Sequence, residues 1–413
     1  MNKHTYNVHK RSSAFVILAI TLALSLYWLC GNGLTASKGK TELAGKNADS
    51  KTDSDLSKHE SLDKTASEAS PAATINPIKS LGNAPKLSTR NARLRSEFLA
   101  SIKASSLDEV KREIARLRAV WVNGAKDFTE VVVAELESGF NQATGLPFIV
   151  GYEGIAVPTS YRVFLLDILA DIDPARAAEL SKAVLNDSSN LDEWSVALRN
   201  IARESVGKEN SFLRQKVAEL IRNPAWSAER SRAYLESFDL VPGVKQYELI
   251  PDLVRMLSNV EAPLDLQKAS WLALERFSIV SGAAFVSYVL DTGLAPSVPP
   301  YILANFVSRL DPNKPSDGDI LTRYAAAVSS QDKSWKEFVA MFPLHSLPVG
   351  PALITGVQPK PLVASAKQDL AALKLVEAWL IREDFQNKHA DLLSMQERIL
   401  ENVESAKRGG VIS

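Results

Sequence analysis

The chain has 413 residues, 46% hydrophobic, 23% charged and 7% aromatic, enough for about two to three domains with sizeable cores. Its 48 basic and 48 acidic residues cancel to a net charge of zero with no basic stripe, which argues against a nucleic-acid partner. The one cysteine, Cys30, excludes an intrachain disulfide and a cysteine-ligated metal cage.

Residues 1–11 are a basic tail carrying Lys3, Lys10 and Arg11 and no acid. Residues 12–34 carry no charge, and their strongly apolar part, Ala14 to Cys30, approaches the roughly 20 helical residues that span a bilayer core. This segment is expected to be a transmembrane signal anchor. The alternative is a cleaved signal peptide, with small residues at Gly31-Asn32-Gly33 and Thr35-Ala36-Ser37, which leaves a secreted protein. Tyr27 and Trp28 are expected at the far membrane interface, where amphipathic rings settle. Lys38, Lys40 and Lys46 nearly balance the basic count across the segment. The short basic tail still places the N-terminus in the cytoplasm and the remainder outside, in the periplasm of a Gram-negative cell.

Residues 35–90 are rich in Lys, Asp, Ser, Thr and Ala, and no aromatic occurs between Trp28 and Phe98. Such a stretch buries too little apolar surface to offset its ordering entropy, so a disordered spacer is expected, with a reach near 40 Å. Gly39-Lys40-Thr41 lacks the upstream glycine of a phosphate-binding loop. His59-Glu60 lacks the second histidine of a zinc-protease helix, because position 63 is Asp.

From 91 to 413 the apolar spacing is helical, with a candidate subdivision at 139–160. Helices are predicted over 92–120, 127–138, 160–171, 174–187, 191–205, 210–222, 227–237, 247–258, 264–277, 281–291, 299–309, 318–330, 334–341 and 365–407. Start signals recur: a capping box at Ser106–Glu109, a looser one at Asn190–Glu193, and Asp173 before a first-turn Pro174. Helical hairpins are predicted at 160–171 with 174–187, 191–205 with 210–222, and 264–277 with 281–291. The final stretch 365–407 has few breakers and is expected to cap the array. This run of short hairpins resembles α-solenoids of the HEAT-like class, which implies an all-α fold of stacked hairpins; a compact helical bundle is the alternative.

Three stretches interrupt the helices: 139–160, 290–301 and 343–361. The first is rich in glycine, and Phe148-Ile149-Val150 reads as a short strand. Loops on rigid scaffolds often carry function, so Phe148, Tyr152, Glu153 and His345 are the candidate binding residues. Glu153 is also the candidate acid for carboxylate-based glycan cleavage, which needs a second acid within roughly 5–10 Å. After residue 90 the histidines are His345 and His389, in different elements and without ligand-like neighbours, so neither a metal nor a cofactor is expected. Ser330–Lys333 matches S-x-x-K without its companion motifs, and no G-x-S-x-G occurs. The tryptophans from 121 to 379 are expected to anchor local helix interfaces. The composite expectation is a membrane-tethered helical-repeat scaffold for protein–protein interaction in the cell envelope, leaning away from an enzyme. The alternatives are an envelope hydrolase and a passive spacer.

Overall fold

The computed structural model describes residues 89–346, 352–356 and 361–412, residue 209 excepted. The basic tail, the apolar segment 12–34 with Tyr27 and Trp28, and the spacer up to 88 lie outside the described residues.

The fold is all-helical, with little strand. Helices α1 (Thr89–Ser101) and α2 (Leu107–Asn123) replace the single helix predicted over 92–120. The break is made by the capping box. Ser106 Oγ accepts the Glu109 amide at 3.3 Å, while the Glu109 carboxylate takes the Ser105 amide at 3.0 Å and the Ser105 hydroxyl. A helix start is thus written into the middle of an unbroken apolar pattern.

Helix α3 (Ala125–Glu137) leads into the glycine-rich stretch, where β1 (Ile149–Val150) pairs antiparallel with β2 (Ile155–Val157). The Gly151 amide donates to the Gly154 carbonyl at 2.6 Å and closes the turn. The three helices that follow, α4 (Tyr161–Ile172), α5 (Pro174–Asp187) and α6 (Leu191–Glu204), pack on one another. Side chains of Ser160, Asp173 and Asn190 cap them in turn. Helix α4 is apolar on nearly every side and lies in the core, with Val163, Phe164, Leu165, Leu166, Ile168 and Leu169 fully buried.

The predicted helix 227–237 is two short ones. After α7 (Ser211–Arg222) come α8 (Pro224–Glu229) and α9 (Arg232–Ser237), separated by Arg230 in the left-handed region at φ 50°, then the single turn α10 (Leu240–Gly243). A 3-10 turn at Tyr247–Leu249 opens α11 (Ile250–Ser258). Next come α12 (Leu264–Ser281), α13 (Ala283–Asp291), α14 (Pro300–Ser308), α15 (Pro315–Ala327) and α16 (Lys333–Met341). The predicted helix 365–407 is likewise a pair, α17 (Leu362–Leu380) and α18 (His389–Arg408), joined by a 3-10 turn at Glu383–Lys388. Phe385 in that turn is buried and stacks on Trp379 with ring centroids 5.7 Å apart, so the turn is fixed from below rather than by a breaker residue.

The most extensive pairings are α5 with α6, α17 with α18, α14 with α16, and α11 with α12. Two predicted hairpins are therefore shifted by one helix. Gly282, at φ 46°, turns α13 through 120° from α12, and α6 gives more of its surface to α5 than to α7. Trp121, Trp335 and Trp379 are fully buried, Trp121 stacked on Phe128 at 5.6 Å. Among the described residues no single helix is long and apolar enough to cross a membrane; the bent pair α12–α13 passes by length and composition only.

Candidate functional site

Two charge pairs at i, i+4 spacing are built into largely buried helices, which puts each pair on one helix face: Asp167 and Asp171 on α4, Arg199 and Arg203 on α6. Arg118 comes from α2. Asp167 is fully buried. Its carboxylate is ion-paired with Arg118 Nη2 and Arg199 Nη1 and accepts a hydrogen bond at 3.0 Å from the backbone amide of Ile155 on β2. Asp171 takes Arg118 Nη1 and, at 3.7 Å, Arg203 Nη1. Arg199 donates through Nη2 to Asn200 Oδ1 at 2.9 Å, and Asn200 donates to the Leu166 carbonyl at 2.9 Å. A buried charge is tolerated when paired and hydrogen-bonded in this manner.

Burial lowers all three guanidinium pKa values. Arg199 is pushed down to about 10 against the pull of Asp171. Arg203 also falls to about 10, through burial first and then the charge of Arg199, with Asp171 opposing. Arg118 is lowered by burial, and the carboxylates of Asp171 and Glu153 oppose the shift.

The network seats the β1–β2 tip. Gly154 has φ +145°, and a Cβ there would stand 2.6 Å from Arg118 Nη2 and 2.9 Å from Cζ, so its backbone lies directly on the guanidinium. Only glycine allows both that conformation and that approach. Behind the tip, Thr159 donates to Asp192 on α6 at 2.5 Å. Between α2 and the tip is a cleft of about 320 Å³, lined by Lys111, Ile114, Arg118, Tyr152, Glu153 and Ile155 among others. Tyr152, at the tip, is 91% exposed.

The structure thus brings Tyr152 and Glu153 together on one tip and separates the other candidates from it. Phe148 is 2% exposed and belongs to the core, so it offers no surface to a partner. His345 is not a lining residue; its Nε2 meets Asp369 Oδ1 on α17 at 2.8 Å. Glu153 is exposed and is the one acid among the described lining residues of the cleft. Asp167 and Asp171, beyond Arg118, are each held by two arginines. Lys111, Arg118, Gly154 and the α4–α6 charges were not picked out by sequence. Their signal was a charge pair at helical spacing inside the otherwise apolar run Val163–Ile172.

No family model matches the chain, and no match is found among the curated proteins or the solved structures.

Proposed function

We propose that this chain is a membrane-tethered helical scaffold that engages another protein through the β1–β2 tip, on the exterior side of a bacterial envelope membrane. The observation that carries the reading is Tyr152, a large aromatic 91% exposed on a turn that is not loose. Its base is fastened to three helices through Asp167 and Arg118. An exposed tyrosine offers a large amphipathic contact with few rotatable bonds, and a braced loop loses little entropy on docking. The apolar segment 12–34 is the tether in this reading, and residues 35–90 give the domain about 40 Å of reach. The pairings α5–α6, α11–α12 and α17–α18, with α14 packed on α16 rather than on the intervening α15, support stacked hairpins of an irregular α-solenoid as the scaffold.

The test compares the full chain with its Tyr152→Ala variant, both made in the producing cell, crosslinked and purified from membranes. The variant should keep its helix content and lose a specific partner by about 30-fold, the loss of an interface hot spot. Recovery of the same partners in the same yield would overturn the proposal.

A further inference from the structure

Asp239, the residue before α10, is 2% exposed and makes no capping bond to its own helix with its side chain. Its carboxylate instead holds a segment 115 residues further along the chain. Oδ2 accepts from the backbone amides of Ile354 at 2.6 Å and Thr355 at 2.9 Å, and Oδ1 accepts from the Thr355 hydroxyl. Arg276 on α12 pairs with Oδ1 at 3.1 Å. Residues 352–356 belong to no helix or strand, and their two inward amides go to this side chain rather than to a backbone ladder. Leu353 plugs into the core, Ile354 is half-buried against Gly243, and Gly356 is exposed. Gly243 is itself exposed, and a Cβ there would collide with Ile354 Cγ2, so the segment lies in a surface groove whose wall has to be glycine. A segment with one fully buried apolar side chain and its polar grip on a single carboxylate is a unit that opens at low cost. An opened groove leaves the buried carboxylate short of three donors, which is unfavourable. The groove therefore favours exchange of occupants over vacancy, and a replacement has to bring two consecutive amides and a hydroxyl.

We propose that the groove at Asp239 and Gly243 is a peptide-binding site occupied in cis by residues 352–356, which a partner segment carrying leucine, a β-branched residue and threonine in succession displaces. The site goes beyond the reading of the β1–β2 tip and uses none of the tip's residues. Each part of the occupant answers a part of the groove. Leucine fills the place of Leu353, and the next residue passes over Gly243. Its amide, with the amide and hydroxyl of the threonine, completes the donor set of Asp239. The internal segment has the advantage of its tether, which gives it an effective concentration of about the millimolar range. It is thus an autoinhibitory contact that a tighter or locally concentrated partner overcomes.

The full chain in detergent is titrated with a fluorescent peptide copying residues 350–358, beside a version with valine in place of the threonine. The double substitution Leu353→Gly/Thr355→Gly weakens the internal occupant. That variant should bind the peptide at least about tenfold more tightly than the unaltered chain, because the tethered competitor no longer holds the groove. The valine version should bind it at least about tenfold less tightly, since it brings no hydroxyl to the buried carboxylate. Adding Asp239→Asn to the variant should remove the preference for threonine. A second readout uses the unaltered chain: hydrogen exchange at the amides of Ile354 and Thr355 should accelerate several-fold in millimolar peptide. Failure of the variant to bind while it keeps its helix content would overturn the inference. So would equal binding by the variant and the unaltered chain, equal binding of the two peptides, or a threonine preference that survives Asp239→Asn. Unchanged exchange at 354 and 355 in millimolar peptide would overturn it as well, and that result decides the matter if the variant loses its helices.

Discussion

Asp167 is ion-paired with Arg118 on α2 and Arg199 on α6 and accepts from the Ile155 amide on β2, so one buried carboxylate fastens three elements to α4. Removing it leaves two buried guanidinium groups short of a counter-charge. Asp167→Ala should therefore destabilise the domain by about 3–5 kcal/mol in urea unfolding followed by helix signal. A loss under about 1 kcal/mol, the scale of an exposed ion pair, would contradict this role. Gly154→Ala should also be costly, about 1–3 kcal/mol, because it combines a disallowed conformation with a clash on Arg118. Gly139→Ala is the control: φ is +71° there, nothing lies within 4 Å, and the cost should be smaller. Glu275 on α12 gives a pH signature. Burial raises its carboxyl above the ordinary 4.5, against the pull of Arg309. The native state then holds this proton more tightly than the unfolded chain. Its linked stabilisation is complete below pH 4.5 and is lost as pH rises through the native value. Glu275→Gln should flatten that slope in unfolding midpoints measured against pH; an unchanged slope would refute the assignment.

At the scale of elements, Arg230 decides where α8 stops and α9 starts by adopting a left-handed conformation at φ 50°. Arg230→Gly should raise stability by up to about 1 kcal/mol in thermal unfolding, since its 3.5 Å pair with Asp265 is partly exposed and worth little. A clear loss of stability would show that the arginine side chain matters more than its backbone. The same position shows why some boundaries were legible in sequence and others were not. The caps at Ser106, Asp173 and Asn190 are residue-type signals, and each stands where the sequence put it. The strand at Ile149–Val150 was likewise legible from its apolar, glycine-flanked context. Arg230 is an ordinary helix former whose break is a backbone conformation, invisible to periodicity. The turn at Glu383–Lys388 is held by the burial of Phe385 against Trp379, a tertiary contact that local spacing does not encode. The candidate site divided in the same way. Tyr152 and Glu153 stood out because the segment around them breaks the helical pattern. Arg118, Asp167 and Arg199 lie on three helices far apart in sequence, and only the fold makes them neighbours.

For the whole molecule, the proposed function joins three parts: an apolar segment for the membrane, a polar spacer, and a helical domain whose β1–β2 tip carries the exposed Tyr152. The domain's other exposed apolar side chains lie on different elements, among them Val260, 87% exposed, and Leu393, 45% exposed. They supply internal controls for a binding face. The most direct measurement places a photocrosslinking amino acid at position 152, 260 or 393 of the full chain and irradiates intact producing cells. The account predicts a discrete protein adduct from position 152 and none from 260 or 393. An adduct from position 260 or 393 with nothing at 152, or no adduct at any of the three, would contradict it.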